Sequence, residues 1–303
     1  MNNNTIVNSA YPKVVHKKKK NIGLNILYYT SGVILALLFL FPVLYMLAAS
    51  TKSEAQCALD AGTINMFLPS LNFNQMLENY SVIFIKYDVW KYFLNSMIYA
   101  VISIILNILI NGLAGYAIAK YTFPGKKFFN FMIIFLIVVP VETSIIPLLS
   151  IVRSILGLKG EMSVLAVILP ATISIFNIFL FAQFFKGIPT EYEEAARMDG
   201  ASNLQIFFKV IVPLSKPIIA TVAVFCFIGV WNDYIWPQLV LSKDTVWPLA
   251  TIQSVLEAIQ TENGITTGQI MASLVITSLP IFVVYIVAQK YIVQGFGSAG
   301  LKL

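Results

Sequence analysis

Charge, histidine and cysteine are all scarce in this chain. Only 11% of its 303 residues are charged, against about 25% in soluble domains. The single histidine, His16, lies beside four lysines near the N-terminus, so no serine has a plausible histidine base. Cys57 falls in a predicted loop and Cys226 well inside an apolar run. This placement excludes a disulfide framework and a Cys-x-x-Cys metal site.

Several catalytic motifs are missing as well. The sequence has no Gly-x-x-x-x-Gly-Lys-Ser/Thr loop, so the chain does not bind ATP through a P-loop. It has no His-Glu-x-x-His motif, and Glu191, Glu193 and Glu194 crowd one helix start instead of forming a glycosidase pair. The net charge of +6 comes from bases that flank apolar runs, which does not indicate nucleic-acid binding. We therefore expect no enzyme activity, no catalytic residue, no metal site and no cofactor.

Long apolar runs dominate what is present, since 58% of the residues are hydrophobic. A membrane span needs about 20 mostly apolar residues. The candidate spans are residues 24–49, 93–119, 128–149, 163–186, 217–241 and 270–290. The first run is longer than the ~7–15 residues of a signal-peptide core, so we predict that it is retained as an anchor. The predicted fold class is an all-α integral membrane protein with a six-transmembrane-helix bundle.

Lysine and arginine predict the orientation of these spans, because basic residues concentrate on the cytoplasmic side. With the N-terminus inside, the inner segments hold Lys13, Lys17, Lys18, Lys19, Lys20, Lys120, Lys126, Lys127, Lys186, Arg197, Lys209, Lys216, Lys290 and Lys302. The outer segments hold Lys52, Lys86, Lys91, Arg153, Lys159 and Lys243. We therefore predict that both termini are cytoplasmic, with a leader 1–23, a six-helix transmembrane domain 24–290 and a tail 291–303.

Two outer segments are long. Residues 50–92 contain several asparagines and aromatics, which favours an ordered extracytoplasmic loop. Residues 242–269 contain Pro248, a helix-like run Leu249–Ile259 and a turn at Glu262-Asn263-Gly264.

Polar groups inside the predicted spans are costly unless they are paired or line a water-filled path. Asn107 and Asn111 are four residues apart, so they share one helix face. Asn177 lies on another predicted span. These amides either join packed helices or line a solute path. Glu142 lies between two prolines, where the helix is expected to break; it faces either a cavity or the outer water.

The best solute-contact candidates follow one another in the fifth span. Trp231 precedes Asn232 and Asp233, with Tyr234 and Trp236 close by. Aromatic faces stack on sugar C–H surfaces, and amide and carboxylate groups bind hydroxyls. An interfacial aromatic belt is the competing interpretation.

The most informative stretch is the polar segment Pro189–Pro217 between two apolar runs. Thr190 and Glu193 have the spacing of a capping box at a helix start, and Ser202 and Gln205 repeat it. Gly200, after Asp199, predicts a stop between the two helices. Four apolar residues at helical spacing predict one buried face of the second helix; they are Leu204, Phe207, Phe208 and Ile211.

This segment resembles the EAA loop of binding-protein-dependent ABC importer permeases. The resemblance rests on Glu194-Ala195-Ala196, on Gly200 six residues after the glutamate, and on Pro213. The family's closing Ile-x-Leu-Pro is here Val210-Ile211-Val212-Pro213, a conservative departure. The resemblance extends to Ile146-Pro147-Leu148, Trp231-Asn232-Asp233 and Gln289–Gly295. Within the family, the chain most resembles the smaller permease subunit of maltose-type sugar importers.

The resemblance implies a type I importer permease that passes a carbohydrate, typically an oligosaccharide, across the bacterial cytoplasmic membrane. Its implied partners are a second distinct permease, an ABC ATPase dimer that binds the ATP, and an extracytoplasmic solute-binding protein. A homodimer is the alternative assembly. The residues implied to couple to the ATPase are Glu191, Glu194, Ala195, Ala196, Asp199 and Gly200. The alternative function is an ion-coupled secondary transporter, with Glu142 and Asp233 as its candidate titratable groups.

Overall fold

A computed structural model describes residues 22–241 and 249–300, and all the regular structure within those ranges is helical. Most of the predicted leader, His16 and Lys243 lie outside the described residues, as do the last three residues of the predicted tail. Helix α1 is Ile22–Ala49, and its side chains from Ile26 to Phe41 are exposed. An apolar helix with exposed side chains is typical of a surface that lipid covers.

The remaining helices follow in chain order. They are α2 Glu54–Asp60, α3 Phe73–Ser81, α4 Val89–Lys120, α5 Lys126–Val138, α6 Ile145–Ser150, α7 Ser163–Ala171, α8 Ile175–Lys186, α9 Glu191–Met198, α10 Asn203–Ile206, α11 Val212–Leu214, α12 Lys216–Asn232, α13 Ile235–Val240, α14 Ile252–Gln260 and α15 Thr267–Gly300. Short 3-10 or π turns join several of them.

Four helical stretches are long and apolar enough to cross a membrane by themselves. They are Ile26–Ala49, Val89–Lys120, Ser163–Lys186 and Thr267–Lys290, in agreement with four of the predicted spans. Two bent pairs raise the number to as many as six: Lys126–Val138 with Val141–Ile155, bent by 99°, and Asn203–Leu214 with Lys216–Asn232, bent by 85°.

The other two predicted spans are not single continuous helices in the structure. The span predicted at 128–149 is broken after Val138, because Pro140 disfavours a helical conformation in Val139, whose ψ is 123°. The span predicted at 217–241 ends its long helix at Asn232. Asp233 is extended there, and its carboxylate accepts the Trp236 N–H at 3.2 Å, so it caps the separate helix α13.

Helix α4 contributes to all three buried apolar clusters. Its closest neighbour is α8, where a Cβ placed on Gly115 would lie 2.6 Å from the Phe181 Cβ and 3.0 Å from the Ala182 nitrogen. Small residues allow membrane helices to approach this closely. Glycine at 115 therefore sets the separation of α4 and α8.

Amide side chains of α4 form hydrogen bonds with the backbone groups left free at a break between α7 and α8. Pro170 lies in the last turn of α7, and three residues separate the end of α7 from the start of α8. Asn107 donates to the Ala171 carbonyl at 3.0 Å, and Asn111 donates to the Thr172 carbonyl at 3.0 Å. Asn111 also accepts the Ser174 N–H at 3.0 Å. Backbone groups freed inside a membrane must find such partners, so these two amides act as interhelical hydrogen-bonding groups.

Replacement of Asn111 by leucine is expected to lower the free energy of unfolding by at least about 1 kcal/mol, because the buried Thr172 carbonyl and the partly buried Ser174 N–H lose their partner. Gln183→Leu, at an exposed position of α8, is the control and should change stability by less than about 0.5 kcal/mol. Thermal unfolding of both purified variants in detergent measures the difference. Equal midpoints would contradict this assignment.

The segments 50–88 and 249–266 are ordered and tied to the long helices. Lys52, almost fully buried, pairs with Asp60 at 2.8 Å and donates to the Asn65 carbonyl at 2.7 Å. The Glu54 carboxylate accepts the Thr267 N–H at 2.6 Å at the start of α15. On the surface, the hydrogen bond from Lys86 holds the pKa of the Glu262 carboxyl below its usual value. Residues 50–88 form the ordered segment expected within 50–92, whereas residues 89–92 belong to α4; the extracytoplasmic location stays a prediction.

The two cysteines are both free thiols, Cys57 half-buried and Cys226 buried in α12. The predicted helical run Leu249–Ile259 corresponds to α14, and the turn at 262–264 is present with Gly264 at φ 89°. The residues just before α14 are attached to α4, because Asn95 donates to the Ala250 carbonyl and Tyr99 donates to the Leu249 carbonyl.

Candidate functional site: an exposed helical segment between two spans

The 189–217 segment is helical on both sides of Gly200, as predicted: α9 precedes the glycine, and α10 follows it and continues through a π turn into α11. Helix α9 ends in a Schellman arrangement, in which Ala201 N–H donates to the Ala196 carbonyl and Gly200 N–H to the Arg197 carbonyl. Gly200 has φ 80°, a left-handed conformation that glycine adopts without strain. The turn is therefore built into the backbone chemistry of this segment.

One of the two predicted capping boxes is present and the other is wrong. Ser202 N–H donates to the Gln205 Oε1 at 2.8 Å, and Gln205 N–H donates back to the Ser202 hydroxyl at 3.4 Å. Thr190 makes no such bond, because its ψ of −22° is helical and its hydroxyl does not cover the first turn. The Glu193 carboxylate, expected to complete that box, points instead toward α4.

The predicted apolar face of the second helix is wrong in half of its residues. Phe207 and Ile211 are buried, whereas Leu204 is 61% and Phe208 49% exposed. The buried side is rotated toward Ile206, because the segment packs onto aromatic rings of α4 and α8. The Tyr116 and Phe207 ring centroids lie 5.4 Å apart, and a π turn over Phe207–Ile211 breaks the α-helical period.

The exposed face of the 189–217 segment carries five of the six residues predicted to couple to an ATPase. Glu191, Glu194, Ala195, Asp199 and Gly200 are exposed, and Ala196 is half-buried. Large apolar side chains lie exposed on the same segment: Tyr192, Met198, Leu204 and Phe208. Among the described residues, none forms an ion pair with Glu191, Glu194 or Asp199. An apolar patch with unpaired carboxylates suits a protein partner.

Glu193 is a residue whose role the sequence analysis missed. It is 4% exposed, accepts the Tyr116 hydroxyl at 3.0 Å and pairs with the Lys120 ammonium at 3.0 Å. Lys120 also donates to the Ile188 carbonyl at 2.6 Å, in the link between α8 and α9. The i, i+4 spacing of Tyr116 and Lys120 was the available signal, since it places both polar groups on one face of α4.

The five candidates for solute contact lie in different surroundings. The Asn177 amide is buried and donates to Asn107 Oδ1 at 2.9 Å. Trp231 is fully buried; its Nε1 donates to the Thr277 carbonyl at 3.0 Å, and its ring stacks on Phe227. Its ring is therefore covered by the chain's own groups.

The remaining candidates lie closer to the surface. Asn232 is exposed, Asp233 is half-buried at the cap of α13, and Glu142 is exposed in the 3-10 turn Val141–Ser144. Contact between any of these side chains and a solute stays a prediction.

Comparison with known proteins places this arrangement in a family. Residues 111–298 match the model of the binding-protein-dependent transport system inner membrane component. The arabinooligosaccharides transport system permease protein AraQ of Halalkalibacterium halodurans is 30% identical, over 88% of this chain and 93% of AraQ. The sn-glycerol-3-phosphate transport system permease protein UgpE of Salmonella typhi is 31% identical, over 90% of this chain and 96% of UgpE.

A solved structure supports the same fold. A chain of a bacterial ABC transporter involved in import of the acidic polysaccharide alginate superposes with a TM-score of 0.75 and 27% identity, covering 90% of this chain and 98% of that one. The family match covers more than half of the chain and the relatives nearly all of it. The chain belongs to the binding-protein-dependent transport system inner membrane component family, and is a multi-pass permease subunit of an ABC importer.

Proposed function

We propose that this permease subunit carries a neutral oligosaccharide from an external binding protein into the cytoplasm, driven by a separate ATPase. Family membership supports an assembly with a partner permease, an ATPase and a binding protein. The observation that carries the coupling role is the exposed face of the 189–217 segment, with its turn at Gly200. The two permeases are distinct chains, and the ATPase is a dimer.

The charge pattern supports cytoplasmic termini. Lys120, at the end of α4, donates to the carbonyl of Ile188, the residue directly before the 189–217 segment. Lys186 at the end of α8 is separated from that segment by two residues, and Lys126 and Lys127 begin α5 after a short turn. Basic residues concentrate at cytoplasmic span ends, so this end of the bundle faces the cytoplasm and presents the segment to the ATPase.

The exposed face binds the ATPase through side chains of two kinds. Ala195 allows close approach and the apolar groups Met198 and Leu204 fill a groove on the partner. Glu194 pairs with a basic group there. Closure of the ATPase dimer shifts the bundle between inward- and outward-open states only if this contact differs in strength between them.

The placement of basic groups near the ends of the spans favours a neutral solute. In the four unbroken candidate spans, lysine occurs only near helix ends, such as Lys91, Lys120 and Lys186, and arginine does not occur. In the bent pairs, Arg153 lies in the last turn of Val141–Ile155 and donates to the Leu239 carbonyl, and Lys209 belongs to the 189–217 segment. A phosphate or a uronate would need a cation along the path, whereas hydroxyl groups need only amides such as Asn232. Of the relatives' printed solutes, the arabinooligosaccharides fit this condition.

Purification of the tagged chain in mild detergent tests the proposal. We expect mass spectrometry to identify a P-loop ATPase and a second permease among the co-eluting proteins. The complex, reconstituted with its binding protein, should take up a neutral oligosaccharide with ATP and should not take up glycerol 3-phosphate or an oligouronate. Solute uptake by the lone chain without ATP, or uptake of only the anionic solutes, would contradict the proposal.

A further inference from the structure

We propose that Glu193 is a positioning residue that transmits movement of α9 to the membrane-spanning helix α4. This inference rests on the proposed coupling role of the 189–217 segment. It assigns the task of transmission to a buried side chain, separate from the exposed face that binds the ATPase.

The geometry joins two helices through one carboxylate. Glu193 Oε2 accepts the Tyr116 hydroxyl at 3.0 Å, and Oε1 lies 3.0 Å from the Lys120 ammonium. Both charged side chains are 6% exposed. Lys120 also donates to the Ile188 carbonyl, so side chains in the last turn of α4 bind both helix α9 and the link that precedes it.

Other polar connections between α9 and the spans are lacking. Among the described residues, the bonds of Glu193 are the only side-chain hydrogen bonds or ion pairs that join α9 to a long helix. Ala196 packs against the neighbouring apolar cluster, but an alanine side chain offers no directional bond. Among the described residues, the directional side-chain connection from α9 to α4 is therefore the one made by Glu193.

Burial makes this connection stiff. Two charges taken out of water attract each other strongly, and separation of the pair would leave an uncompensated buried charge. Arg197 lies 4.0 Å from Glu193 Oε2 and is half exposed, so it can partly compensate the carboxylate, whereas Lys120 has no second acid among the described residues. Loss of Glu193 should therefore be more harmful than loss of Lys120.

Four variants of the intact importer test the inference in liposomes with its ATPase, partner permease and binding protein: Glu193→Met, Lys120→Met, the double variant with both changes, and Glu193→Gln. The readouts are co-purification of the ATPase, the amount of folded complex, and the solute transported per ATP hydrolysed. Lys127→Met, which removes an exposed lysine at the start of α5, is the matched control.

We expect every variant to retain the ATPase, because the exposed face is untouched. Glu193→Met should transport less than about one tenth as much solute per ATP as the unmodified importer, and Lys120→Met should fall between the two. The double variant removes both buried charges, so the amount of folded complex should recover. Its transport per ATP should stay as low as that of Glu193→Met, because the connection is still absent.

A purely structural role gives a different pattern. Recovery of transport per ATP in the double variant to within about twofold of the unmodified importer would overturn the inference, as would an unchanged ratio in Glu193→Met. If the methionine variants do not accumulate, Glu193→Gln, which preserves the shape of the side chain, is measured in their place. An unchanged amount of solute transported per ATP in Glu193→Gln would then overturn the inference. Failure of the unmodified chain to retain any ATPase would refute the proposed function instead.

Discussion

Replacement of Gly115 by valine is expected to prevent the permease from accumulating as a folded subunit. Even the first added carbon would lie 2.6 Å from the Phe181 Cβ and 3.2 Å from the Ile178 carbonyl oxygen. Two of its three nearest contacts are with the α8 backbone, which has no side-chain rotamer that relieves the clash. Overpacking of this kind costs about 1–3 kcal/mol, and α4 is the helix around which the buried clusters assemble.

Gly112→Ala provides the matched control on the same helix. Its added carbon would lie 3.4 Å from the end of the Phe207 ring, an ordinary van der Waals distance to a side chain that can adjust. Alanine also favours the helix by about 1 kcal/mol over glycine. We expect Gly112→Ala to match the unmodified yield in the membrane fraction and the thermal midpoint in detergent. Similar losses in both variants would show that close packing at Gly115 is not what decides the yield.

Replacement of Gly200 by valine should uncouple the ATPase while leaving membrane insertion intact. The φ of 80° is left-handed, and a residue with a side chain pays about 1–2 kcal/mol to adopt it. A Cβ at this position would meet nothing within 4 Å, so the strain comes from the backbone alone. Since about 1.4 kcal/mol corresponds to a tenfold change, we expect ATP hydrolysis stimulated by the loaded binding protein to fall about tenfold.

Asparagine tests whether conformation is the cause. Asn enters the left-handed region more readily than other residues with side chains, so Gly200→Asn should retain several times more stimulated hydrolysis than Gly200→Val. Both variants should enter the membrane fraction in unmodified amounts, because Gly200 lies outside the long helices. Equal hydrolysis by the two variants would mean that the left-handed turn does not control coupling.

The 189–217 segment shows how far local pattern reaches. The stop at Gly200 and the capping box of Ser202 and Gln205 could be predicted, because a turn and a cap involve atoms within a few residues of each other. The box at Thr190 failed, because the Glu193 carboxylate had a better partner 77 residues away in the sequence. A buried ammonium and a tyrosine hydroxyl bind a carboxylate more strongly than one N–H exposed to water.

The intramembrane asparagines show the same limit. Their spacing placed Asn107 and Asn111 on one helix face, but left open whether they join packed helices or line a solute path. The fold favours hydrogen bonding for Asn107 and Asn111, because the break after Pro170 lies against that face and exposes carbonyls to it. The sequence placed Trp231 beside polar neighbours as a candidate solute contact, and in the fold its side chain lies against Phe93, Phe227 and the Thr277 carbonyl. Nothing within a few residues of Trp231 indicated those partners.

By itself, the sequence determined that this chain spans a membrane, roughly where it does so, and that a polar segment with a glycine turn separates two spans. Apolar length, proline and glycine act on their own neighbourhood, so these features need no knowledge of distant residues. Only the tertiary structure decided which polar groups form hydrogen bonds or ion pairs within the fold and which are exposed. Hydrogen bonds and ion pairs depend on distances of about 3 Å between atoms, and those distances are set by how α4, α8 and α9 pack together.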